Sequence, residues 1–133
     1  MSKVFEDLVP PLELCKQIPK GKFEDSALWW IEEHIPGNET PIDSHVCERR
    51  TCEYHHGGSF VFHPAPTLQE IMIDTYRYGF VYPQIERTCD SFVARIIGGG
   101  KYKIYRITTD DNPATALLEL WLTFIGEKNA NID

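Results

Sequence analysis

Between Ala114 and Ile125 only Thr115, Glu119 and Thr123 are polar. Asn112-Pro113 just before this run supplies an N-cap and a first-turn proline, so the segment reads as a helix through about Ile125, with Gly126 to stop it. Leu117, Leu120, Trp121 and Phe124 form one stripe, and Leu118, Leu122 and Ile125 a second. A helix apolar over most of its circumference cannot lie on a surface with half of it in water. It is buried on two sides within its own domain, or it offers a self-association surface that makes a homodimer instead of a monomer.

The rest of the second half supplies partners for that helix. Thr67-Leu68-Gln69-Glu70 is a capping box, and Leu68, Ile71, Met72 and Thr75 follow it at helical spacing, with Gly79 suited to the C-terminal cap. Phe80–Glu86 reads as a strand that Pro83 pushes toward a sheet edge. Ser91–Ile97 and Lys101–Thr108 are the clearest strands, joined by Gly98-Gly99-Gly100. A three-residue loop sets Ile96 opposite Tyr102, Ala94 opposite Ile104 and Phe92 opposite Arg106. In that register Phe92, Ile96 and Ile104 lie under Trp121.

The first half is more broken. Residues 11–18 read as a short helix ended by Pro19 and Gly21, Ala27–Ile31 as a strand, and Ser59–His63 as another. Residues 36–58 carry Pro36, Gly37, Asn38, Pro41, Asp43, Gly57 and Gly58 and read as one long irregular loop. With 133 residues, the reading is a single α+β domain: an antiparallel sheet with about three helices packed mainly on one face.

Composition bounds the function. A start with two acids and no following apolar run is not a secretory signal, and no stretch is long and apolar enough to span a bilayer, so a soluble cytoplasmic protein is expected, with no membrane partner. In that compartment Cys15, Cys47, Cys52 and Cys89 read as free thiols. A net charge of −7 repels phosphate backbones and disfavours nucleic acid as a partner, while leaving open a protein partner.

Three constellations carry chemical possibilities. His45, Cys47, Cys52, His55 and His56 are soft ligands of the kind zinc takes, but four residues separate the two cysteines and no second knuckle follows. They are weak candidates for a zinc-stabilised domain or small metalloenzyme, and the expectation is no metal and no cofactor. Arg95, Lys101 and Lys103, with Tyr105 between them, form a basic and aromatic strip on one sheet face in the assumed register. That strip is a possible interaction surface, and the alternative nucleic-acid reading rests on it. Gly98-Gly99-Gly100 joins strand to strand, so it is a turn and not a phosphate cradle. Glu32-Glu33 are neighbours that a strand would send to opposite faces. No serine or cysteine carries an activating signature, so no catalytic residue is assigned and the expectation is no enzyme.

Three stretches together, Leu12–Trp30, Pro64–Glu70 and Asn112–Ala116 running into Leu120-Trp121-Leu122, resemble small proteins encoded by gut anaerobic bacteria and by their phages and prophages. That family has no assigned activity, so no site residue is carried over. The resemblance implies a non-enzymatic cytoplasmic accessory protein of a mobile element, acting by protein–protein interaction.

Overall fold

A computed structural model describes residues 3–35, 37, 41, 43–48, 59–78, 81–98, 103–109 and 112–130. The chain is of the α+β class, with four helices and six strands among these residues. Where the sequence suggests one sheet in one domain, the chain divides into two compact units, Met1–Thr67 and Leu68–Asp133, each with its own three-stranded antiparallel sheet.

The first unit comprises α1 (Lys3–Glu6), α2 (Leu12–Cys15), β1 (Leu28–His34), β2 (Asp43–Glu48) and β3 (Ser59–Pro64). Its sheet has the order β2-β1-β3. The central strand is the apolar one, with Leu28, Trp29, Trp30 and Ile31 all buried. Both tryptophans satisfy their indole N–H on the backbone: Trp29 Nε1 donates to Ser26 O and Trp30 Nε1 to Pro10 O, each at 2.8 Å. The second bond ties the segment before α2 to the sheet, where Val9 and Cys15 are also buried.

Two expectations are corrected here. The helix at 11–18 is a single turn, Leu12–Cys15, followed by tight turns to Ile18. The supposed loop at 36–58 contains β2, which pairs along β1 from Leu28↔Glu48 to Glu33↔Asp43. In β2 only Val46 is both aliphatic and buried, so pairing with β1, rather than its own hydrophobicity, makes it a strand.

The second unit comprises α3 (Leu68–Tyr76), β4 (Val81–Arg87), β5 (Phe92–Gly98), β6 (Lys103–Thr109) and α4 (Pro113–Ala130). The sheet order is β4-β5-β6, so β4, with its Pro83, is an edge as expected. Asn112 caps α4: its Oδ1 accepts the Thr115 N–H at 2.8 Å and the Thr115 hydroxyl at 3.0 Å. Helix α4 packs over β5 and β6 and against α3. Leu117, Leu118, Leu120, Trp121, Phe124 and Ile125 are all buried. Trp121 Nε1 donates to Asp74 Oδ2 of α3 at 2.9 Å, and Tyr78 meets Phe124 edge-on at 5.3 Å between ring centres. The helix is thus enclosed on two sides by its own unit.

Gly126 does not end α4, which runs on to Ala130. The hairpin register also differs from the expectation. Gly98, at φ +115°, stays in the ladder opposite Lys103, and Ile96 pairs with Tyr105 and Ala94 with Ile107. The parity of β6 is therefore reversed, while residues 99–102 between the paired strands lie outside the described residues. Ile104 lies opposite Ile97, on the face away from Phe92 and Ile96.

Candidate functional site

In the first unit Lys16 and His63 converge on Glu32. This residue lies on β1 with Trp30 and Leu28 on the same face, because alternate strand positions share a side. Its side chain is 5% exposed, and both oxygens are taken. Oε1 lies 2.7 Å from His63 Nε2 on β3, and Oε2 lies 3.1 Å from Lys16 Nζ at the end of α2. Lys16 also reaches Glu13 at 3.6 Å. His63 pairs with Trp30 in the ladder and Glu32 with Val61, which puts the imidazole diagonally beside the carboxylate on one face.

The electrostatics follow from this packing. Burial on its own pushes the Glu32 carboxyl up, but hydrogen bonds from His63 and Lys16, with the charges behind them, outweigh it and hold the group below its ordinary value. The Lys16 ammonium is held above its ordinary value, chiefly by the same bond to Glu32. An ionised carboxylate can only accept, so His63 Nε2 is the donor in its bond to Glu32. No hydrogen bond is made by Nδ1 among the described residues, and it is not among their fully buried unpartnered atoms. The His63 side chain is 22% exposed. Chemically this is an imidazole and an ammonium held on one buried carboxylate.

The residues singled out in the sequence are distributed differently. His45 and Cys47 are two apart on β2 and share a face with Ile31 and Trp29. His45 Nδ1 lies 3.4 Å from Asp43, and Cys47 is disulfide-bonded, so it has no thiolate to offer a metal in this state. Cys52, His55 and His56 lie outside the described residues. Among the described residues no three His, Cys, Asp or Glu side chains come together to hold a metal. The expectation of free thiols fails at Cys47 and holds at Cys15 and Cys89. Cys15 is buried and its thiol is pushed up to about 12 by that burial, which makes it inert.

The basic strip does not assemble as a strip. Arg95 lies opposite Arg106, whereas Lys103 lies opposite Gly98 and Tyr105 opposite Ile96, so Arg95 and the pair Lys103/Tyr105 occupy positions on different faces. Arg95 Nη1 is engaged by Glu86 at 2.9 Å, and Lys101 lies outside the described residues. Glu32 and Glu33 do face opposite ways, the first buried and the second half-buried.

Exposed apolar side chains form a second candidate surface. On α3, Ile73 is 48% exposed and Tyr76 51%, one helical turn apart and therefore adjacent on the helix surface. Gln69 on α3 and Arg77 just beyond its end are exposed as well. Among the described residues no helix is long and apolar enough to cross a membrane.

No family model, curated protein or solved structure matches this chain.

Proposed function

We propose that the chain is an accessory protein of the mobile-element kind that its phrasing resembles, working in the cytoplasm by binding another protein rather than by turning over a substrate. The observation that carries this reading is the Ile73/Tyr76 pair on α3. Two large apolar side chains about half exposed on one helical stripe, one of them tyrosine, with an arginine beside them, have the composition of an interface centre. The negative charge of the chain supports a partner that is basic at its rim.

The test is a photo-crosslinking amino acid placed at Tyr76 or, as control, at the exposed Glu24, with the protein expressed in its host. A discrete adduct is expected from position 76, absent from position 24, and lost on adding Ile73→Asp while the thermal melt stays cooperative. Identical adduct patterns from both positions, or adducts indifferent to Ile73→Asp, overturn the reading.

A further inference from the structure

We propose that residues 3–18 are an exchangeable strap, which closes on its own sheet in a single chain and on the sheet of a second copy in a dimer, with Pro19–Ser26 as the hinge. This goes beyond the binding reading and uses none of the α3 surface. The strap lies against the first sheet, α1 beside β2 and α2 beside β3. Between them, Pro10 O accepts from the Trp30 indole at 2.8 Å, Lys16 Nζ meets Glu32 Oε2 at 3.1 Å, and Val9 and Cys15 are buried. Both polar contacts run from strap to sheet, so a second copy of the chain supplies the same partners with the same chemistry. Closed chain and exchanged dimer share these contacts, and the hinge and the protein concentration decide between them.

The closed hinge is strained. Lys22 N–H donates to Pro19 O and Ser26 N–H to Phe23 O, each at 3.1 Å, so two tight turns fold it back. Phe23, at φ +59°, is the one non-glycine with positive φ among the described residues, and Gly21 stands at φ +90°. At the end of the hinge the Ser26 hydroxyl is buried without a hydrogen-bond partner, the only such side-chain atom among the described residues. Straightening the segment removes the left-handed conformation at Phe23 and gives the Ser26 hydroxyl to water. Extended, Pro19–Ser26 reaches about 26 Å, long enough to carry the strap off its own sheet and onto a neighbour's.

Sedimentation velocity of the full chain should show monomer and dimer in concentration-dependent exchange. Gly21→Ala adds a Cβ that meets nothing within 4 Å, so its effect is backbone strain in the closed hinge alone. The association constant should rise by about 100-fold, or about tenfold at each of the two hinges. Phe23→Gly relieves the closed hinge and should lower the constant. A second arm reads the exchange by charge. In a closed chain Lys16→Glu sets two carboxylates together and Glu32→Lys two ammonium groups, whereas an exchanged pair of the two variants has unlike charges at both seats. Native mass spectrometry of their equimolar mixture should find the heterodimer, with neither variant dimerising alone. Because Glu32→Lys buries a charge that the closed chain leaves unpaired, the hinge variants stand as an independent measurement. A folded Gly21→Ala protein that stays monomeric, equal association constants for Gly21→Ala and Phe23→Gly, or a mixture without heterodimer overturns the proposal.

Discussion

The two units solve the same problem, a three-stranded antiparallel sheet needing cover, with different materials. In the second unit the cover is α4, whose Leu117, Leu118, Leu120, Trp121, Phe124 and Ile125 are buried and whose Trp121 also bonds to Asp74. In the first unit the segment beside the sheet has two single-turn helices, too short to be stable alone. Beside the buried Val9 and Cys15, it is attached by a backbone carbonyl accepting from Trp30 and by an ammonium on Glu32. A long apolar helix covers by area; a broken segment must be pinned at points. Point attachment is sensitive to charge and pH, and area is not.

Four measurements can break or sharpen this contrast. Trp121→Ala should have the largest effect, about 3–5 kcal/mol, since it opens a large cavity and strands the Asp74 carboxylate. Hydrogen exchange should lose protection across the second unit; loss confined to residues near 121 would mean that α4 is not its keystone.

Next comes Glu32→Gln, with an expected loss of about 1–3 kcal/mol, because two charged or polar partners then face a neutral amide. The same group sets a pH dependence. Its folded carboxyl lies below the ordinary value, so the contribution is fully present above the unfolded value of about 4.3 and is lost as pH falls through the lower folded value. Denaturant midpoints measured downward from pH 6 should fall more steeply for the wild type than for Glu32→Gln. Parallel curves would remove Glu32 from the account of how the first unit holds its N-terminal segment.

Asn112→Ala should cost about 1 kcal/mol by removing the side-chain oxygen that accepts from the Thr115 N–H and hydroxyl, the N–H keeping its bond to Asn112 O. The smallest effect has the opposite sign. An added Cβ at Gly126 meets nothing within 4 Å, and the residue is helical and exposed, so Gly126→Ala should stabilise by up to about 1 kcal/mol. A melt at unchanged temperature would show that the C-terminal turns of α4 contribute nothing to the fold.

The contrast also explains what could be read from the residues. The second unit was legible because its elements declare themselves locally: Asn112-Pro113 caps, the apolar run of α4 has a period, and Pro83 marks an edge. Its register was not, since a glycine at φ +115° can extend a strand as readily as end it. In the first unit β2 was missed because its strand character comes from pairing with β1, which no local pattern encodes. The Glu32 site was hidden for the same reason, with Lys16, Glu32 and His63 brought together by tertiary structure alone. One signal was present: a glutamate continuing the inward positions of Leu28 and Trp30 is an acid where burial demands a partner.

The strand orders β4-β5-β6 and β2-β1-β3 have a consequence in time. In the second sheet each strand meets the next one along the chain, so every ladder closes a short loop. In the first sheet β3 returns to the far edge of β1, pairing His34 with Ser59 and Trp29 with Pro64 across the whole of β2 and its connections. Local ladders close quickly and long-range ones wait on chain diffusion. The unit synthesised first is therefore the slower to assemble, and β1, its central strand, stands half-paired until Pro64 has left the ribosome.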